Sequence, residues 1–267
     1  MEADRPNNLE QALAKTEADA EAACKAASAA LRTLKKFRAA AQLGNLRELQ
    51  KAIDIAGQMI ADLARQFTAA KVGWSFDEDV HLSNGAFIAE VLDAAAQAGV
   101  HIYERDDRLY CYPSLIRVLP NDRAVVIDKT RERRLRPSVL VRHLQELQTK
   151  PVRFRSEAFL NSLYDAYSTA VKTRGKERRE TSAIVPLVEI YNLLTLLPGQ
   201  AKEYARPEFA RDIYLLDQSG VTTVRNGAAV SFHAARGNEP ASKVIPIVTK
   251  DGQAKTYYGI SFTSEKG

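Results

Sequence analysis

Apolar positions at the start of the chain recur on a seven-residue beat. Leu9, Leu13, Thr16, Ala20, Ala23, Ala27, Ala30, Leu34, Phe37 and Ala41 are separated by alternating steps of four and three, the spacing that draws one seam along a helix. Alanine fills the middle of this seam, so a partner helix must approach closely, and alanine is also the strongest helix former. Gly44-Asn45 interrupts the pattern, which resumes at Leu46, Leu49, Ile53, Ala56, Ile60, Leu63, Phe67 and Ala70. Two seams joined by a short break predict an antiparallel helical hairpin over residues 1–73. The stripes either pack on the protein's own body or meet a second chain.

A central α+β region is expected over 74–155. Trp74 and Phe76 read as anchors, and Asp77, Glu78 and Asp79 as a solvated acidic loop or helix start, because the ligand spacing of a calcium loop is missing. Ser83 is placed to cap a helix carrying Phe87, Ile88, Val91, Leu92 and Ala95, with Gly99 at its end. Strand patterns at Val100–Glu104, Arg108–Leu119 and Arg123–Asp128 make an antiparallel meander, followed by a helix over Ser138–Gln148.

The last region, 156–267, opens with a helix that Ser156 would cap. Ile184, Leu187, Val188, Tyr191, Leu194 and Leu197 then form one helical face, stopped by Pro198-Gly199. Pro207 starts another helix with Phe209, Ile213, Tyr214 and Leu216 inward, and Gly220 suits its left-handed cap. Asn226-Gly227 predicts a type I′ hairpin, and strands at Val244–Val248 and Thr256–Phe262 follow. Helix, turn, helix and β wing make a winged-helix-like domain, in which the second helix would lie in a DNA major groove. The class is therefore α+β: a coiled-coil-like helical hairpin, a helix with an antiparallel meander, and a winged-helix-like domain.

Composition changes little: 45% hydrophobic and 27% charged residues describe an ordinary globular chain. No apolar run is long enough to span a membrane, and Met1–Asn8 lacks the apolar stretch of a signal peptide. A cytoplasmic protein with two reduced thiols, Cys24 and Cys111, is the expectation. Charge changes the picture more. The net charge is +5, yet Lys129–Arg179 alone holds 14 Lys+Arg against 5 Asp+Glu. Such a concentrated excess points to a polyanion, whose neutralised phosphates release counterions. The candidate contacts are Lys129, Arg131, Arg133, Arg134, Arg136, Arg142, Lys172, Arg174, Lys176, Arg178 and Arg179, with Arg206, Arg211 and Arg225 from the winged part. Aromatic residues do not interleave with these cations, which favours duplex backbone over stacked single strands.

Catalytic patterns are missing. Arg174-Gly175-Lys176-Glu177 lacks the hydroxyl of a phosphate-binding loop, and His81, His101, His143 and His233 are scattered without metal-ligand spacing. Val125–Lys129 has a strand followed by an acid, as in metal-dependent nucleases, but Asp128 and Lys129 are adjacent and would point to opposite faces of a strand. In element order the chain is similar to the tandem winged-helix accessory subunits of SMC-type ATPase complexes. That likeness covers about half the chain and carries no residue across. The expectation is a non-enzymatic DNA-binding or DNA-associated accessory protein without cofactor or metal, oligomerising or docking on a larger complex through residues 9–70. The alternative is an interaction subunit of a multi-protein, SMC-like assembly whose winged helix grips protein. The third reading is a divergent nuclease using Asp128.

Overall fold

The structure is a computed structural model that describes residues 8–106, 108–150, 154–174, 183–237 and 239–264. It has the mixed α+β class that the residue pattern predicts: two long helices, a β meander, then helices with a second sheet. Contacts divide the chain into two compact units. One takes Met1–Gln97, Val118–Val125 and Glu132–Arg142; the other takes Ala98–Arg117, Val126–Arg131 and His143–Gly267. Among the described residues no helix is long and apolar enough to cross a membrane.

The first unit carries the hairpin. Helix α1 (Leu9–Leu43) stops at Gly44, whose φ of 68° is left-handed, and its N–H closes on the Ala40 and Ala41 carbonyls. Helix α2 (Leu46–Gly73) starts at once, with the Asn45 side chain accepting from the Glu48 N–H. The seam between them is not the one drawn through the larger side chains. Its α1 side is Leu9, Ala12, Thr16, Asp19, Ala23, Ala26, Ala30, Thr33, Phe37 and Ala40, all buried or half-buried. One half of the expected seam, Leu9-Thr16-Ala23-Ala30-Phe37, is right; the other half is displaced by one residue. On α2 the inward positions are Leu49, Ala52, Ala56, Met59, Leu63, Ala70 and Gly73. Leu46, Ile53, Ile60 and Phe67 are turned outward and are 76%, 42%, 47% and 61% exposed. Alanine at many of the inward positions suits close helix packing.

At the foot of the hairpin lie α3 (Glu78–Ser83) and α4 (Ala86–Gln97). Asp77 caps α3 by accepting from the Val80 N–H, so the acidic triplet is a helix start. Ser83 ends α3 rather than capping α4; the Asn84 side chain accepts from the Ala86 N–H instead. Phe87 and Val91 on α4 are fully buried. From the same helix, the Glu90 carboxylate accepts the Leu9 and Glu10 N–H groups at 3.0 and 2.7 Å and meets His81 Nε2 at 2.8 Å. An acidic group at the positive end of α1 is favourable.

The meander runs β1 (Tyr103–Arg105), β2 (Arg108–Cys111), β3 (Ser114–Leu119), β4 (Ala124–Ile127) and β5 (Thr130–Glu132), paired in that order. Arg108–Leu119, expected as one strand, is a hairpin that turns at the cis Tyr112-Pro113 bond and sets Leu109 opposite Ile116. Helix α5 (Pro137–Thr149) follows.

The second unit then continues with α6 (Ser156–Thr173), β6 (Val185–Pro186), α7 (Leu187–Leu194), α8 (Gln200–Glu203), α9 (Arg206–Gln218), β7 (Ala228–Ala234), β8 (Ile245–Val248) and β9 (Ala254–Ser264). Strand β9 is central: β6 and β7 flank it, and β8 pairs with its first residues. Leu160, Leu187, Phe209, Ile213 and Ile260 are fully buried in the core of this unit. Ser156 is the first residue of α6 and makes no cap bond. The expected hairpin at Asn226-Gly227 forms, but its turn is not type I′: Gly227 has φ 85° while Asn226 does not turn left-handed. The Gly227 N–H bonds to the Val224 carbonyl, the Val224 N–H to that of Ala228 and the Val230 N–H to that of Thr222, with an antiparallel bridge from Thr223 to Ala229. Gly252, at the β8–β9 turn with φ 78°, is required: any Cβ there would run into the Tyr103 ring.

The observed seam is checked by filling it. Ala56→Leu should cost about 1–3 kcal/mol in urea unfolding through overpacking, whereas Ala39→Leu, on the exposed side of α1, should stay within about 0.5 kcal/mol.

Candidate nucleic-acid interface and the outer face of the hairpin

Four of the candidate cations are bound to the protein's own carboxylates. In the first unit, Arg136 donates from Nε to Glu10 at 2.6 Å and from Nη1 to Glu17 at 2.5 Å. Ser138 adds its backbone N–H and hydroxyl to Glu10 at 2.9 and 3.0 Å. Burial works to raise the Glu10 carboxyl, but the Ser138 N–H and the Arg136 guanidinium outweigh it and hold it below its ordinary 4.5. Arg134 forks onto Glu132 at 3.0 and 2.5 Å. That fork, with the Arg134 N–H, brings the Glu132 carboxyl down to about 2.

In the second unit Arg174 pairs with Glu189, and Arg211 is the centre of a polar chain. Its Nη1 reaches Asp128 at 2.5 Å and its Nη2 reaches Asp212 at 2.9 Å. The Tyr204 hydroxyl donates to the other Asp212 oxygen at 2.8 Å, and Asp128 also accepts the Leu115 N–H at 3.1 Å. Asp128 sits at φ 55° in the β4–β5 turn. Burial and the Asp212 charge raise the Tyr204 hydroxyl. Burial, with Asp128 nearby, pushes the Cys111 thiol up to about 12. The acid nominated for a nuclease is thus an anchor for an arginine. Among the described residues no group of three His, Cys, Asp or Glu is placed to hold a metal ion.

The remaining cations divide by unit. Arg133 and Arg142 belong to the first; Lys129, Lys172 and Arg225 belong to the second. All five are exposed and have no carboxylate partner among the described residues. Arg131 is exposed, and Arg206 is exposed with its guanidinium 5.8 Å from the Tyr191 ring centre. Lys176, Arg178 and Arg179 lie outside the described residues. Helix α9, which would read a groove, is mostly enclosed: Phe209, Ala210, Ile213, Tyr214, Leu215 and Leu216 are buried, and only Arg206 and Gln218 are exposed. The Tyr112 ring meets Tyr214 edge-on at 5.5 Å. A helix entering the major groove needs a free face, and α9 has little.

A surface that the charge pattern does not announce lies on the hairpin. When two antiparallel helices face each other through heptad seams, the position just past the second seam residue of each heptad falls on the same side of both. On α1 these positions are Leu13, Ala20, Ala27, Leu34 and Ala41; on α2 they are Leu46, Ile53, Ile60 and Phe67, with Trp74 next in step. None is polar, and all but the half-buried Leu13 are exposed. The signal was in the sequence as half of the expected seams, assigned inward. The neutralising carboxylates Glu10 and Glu17 gave no local signal, since they lie more than a hundred residues from Arg136.

No known protein family, curated protein or solved structure matches the chain.

Two outcomes follow from the ion pairs. Arg211→Ala leaves two carboxylates without their cation and should cost about 3–5 kcal/mol in thermal or urea unfolding. Glu10 and Glu132 have folded values below the ordinary one, so their stabilisation is present above about pH 4.5 and is lost as the pH falls through the folded values. The urea midpoint should therefore drop between about pH 5 and pH 2, and Glu10→Gln should flatten that dependence.

Proposed function

We propose that this chain is a non-enzymatic assembly subunit that works through the outer apolar face of its N-terminal hairpin, and that its C-terminal part is a winged-helix-like module. The observation that carries the reading is the row of bulky side chains every seventh residue on α2, left in water because the seam between the helices runs through other positions. Contiguous exposed apolar surface of this kind marks interaction sites. The winged-helix description is supported by the order α6, β6, α7, α9, β7, β9, with β6 and β7 on either side of β9. Fold order alone does not separate a DNA reader from a protein binder. The enclosure of α9 and the internal pairing of Arg134, Arg136, Arg174 and Arg211 favour protein.

Duplex DNA contact is the second reading, supported by the exposed and unpaired Lys129, Arg133, Arg142, Lys172 and Arg225. Mobility shifts with a duplex over a salt series decide between them. The assembly reading expects no retained complex at physiological salt. A complex that survives there, loses about 500-fold in affinity over a fourfold rise in salt as five phosphate contacts require, and shows a flatter slope in Lys129→Ala/Arg133→Ala/Arg142→Ala overturns it.

A further inference from the structure

We infer that the occupant of the hairpin's outer face is a second copy of the same chain, seated with the two hairpin tips at the same end. This rests on the assembly reading above and adds the partner and its register.

The face is self-complementary by size. On α2 the outer row is bulky (Leu46, Ile53, Ile60, Phe67), and on α1 three of the five outer positions are methyl (Ala20, Ala27, Ala41), the others being Leu13 and Leu34. A two-fold axis along the hairpin lays each α2 over the α1 of the other copy. Matching residues stand at nearly the same distance from the turn: Ala27 is 17 residues before Gly44 and Ile60 is 15 after Asn45. That difference amounts to about 3 Å, less than one helical turn. Ile60 of each copy then covers Ala27 of the other, Phe67 covers Ala20 and Leu46 covers Ala41, while Ile53 meets Leu34.

The next outward positions agree. Leu31, 53% exposed, comes over Gly57, and Cys24 over Ala64. At the base Glu17, 67% exposed even while it bonds to Arg136, comes beside the exposed Lys71, so the ends carry opposite charge. With tips at opposite ends the same two-fold logic sets Ile60 on Ile60 and Ile53 on Phe67, while on the α1 side Ala27 meets Ala27 and Ala20 meets Leu34. The two helix pairs would then need unequal separations, which rigid hairpins do not allow. Isologous contacts of this kind close after two copies.

The test is light scattering on the full chain across a concentration series, combined with cross-linking. The expected mass is 59.2 kDa, twice the 29.6 kDa of one chain. Ile60→Glu and Phe67→Lys, both at exposed positions, should return it to 29.6 kDa with an unchanged circular dichroism spectrum. Ile55→Glu, 47% exposed on the opposite side of the hairpin, should leave the dimer intact. Ala64→Cys should form a disulfide with the native Cys24 of the other copy on mild oxidation, giving a doubled band that Cys24→Ser abolishes. A single-chain mass at every concentration, a dimer that survives Ile60→Glu, or no doubled band with Ala64→Cys overturns the inference. Binding of anilinonaphthalene sulfonate separates the failures. A single chain that binds the dye and loses it with Ile60→Glu keeps an open face for another protein, so only the second-copy partner is wrong. A single chain that binds none has no such face, and the assembly reading fails with it.

Discussion

The alanine-rich seam between α1 and α2 decides which side chains the hairpin leaves outside. Ala12, Ala23, Ala30, Ala40, Ala52 and Ala56 take most of the middle of the seam, with Leu9, Phe37, Leu49, Met59 and Leu63 as its larger members. The other bulky residues that share the seven-residue beat lie elsewhere, and they form a second stripe. An alanine seam buries little area per residue, so the hairpin depends on its foot as well. There Glu90 holds the first N–H groups of α1, and Glu10 and Glu17 take Arg136.

Carboxylates also decide what the basic middle of the chain is worth to a partner. A count of charges treats every arginine alike, but a guanidinium bonded to two carboxylates has already spent its attraction inside the molecule. Arg211 is the clearest instance: half a dozen residues along α9 are buried around it, and its neighbours Asp128 and Asp212 leave the cluster with a net negative charge. Field at the surface comes from the exposed cations that remain, and these are divided between two units of the chain.

Local chemistry was legible in the sequence. Gly44 ended one long helix and Gly220 followed another, and Asp77 began a short one. What failed was phase and pairing. Heptad spacing does not say whether Leu13 or Ala12 faces the seam, because both fit a helix and the choice depends on how near the partner stands. The Arg108–Leu119 stretch has strand character throughout, and the turn at Tyr112-Pro113 had no glycine or asparagine to mark it. The acids that neutralise Arg136 come from the far end of the chain, and no spacing rule reaches that distance.

The polar chain through Arg211 bears on how the protein can be dissected. A fragment beginning at Ser156 follows a natural break in the residue pattern and retains every helix and strand of the second sheet. It would nonetheless lack Asp128 and Tyr112, so α9 would lose one of its two ionic partners and the ring that leans on Tyr214. Such a piece would expose an aromatic flank that the intact chain keeps dry, and its stickiness in solution would reflect the cut rather than the biology.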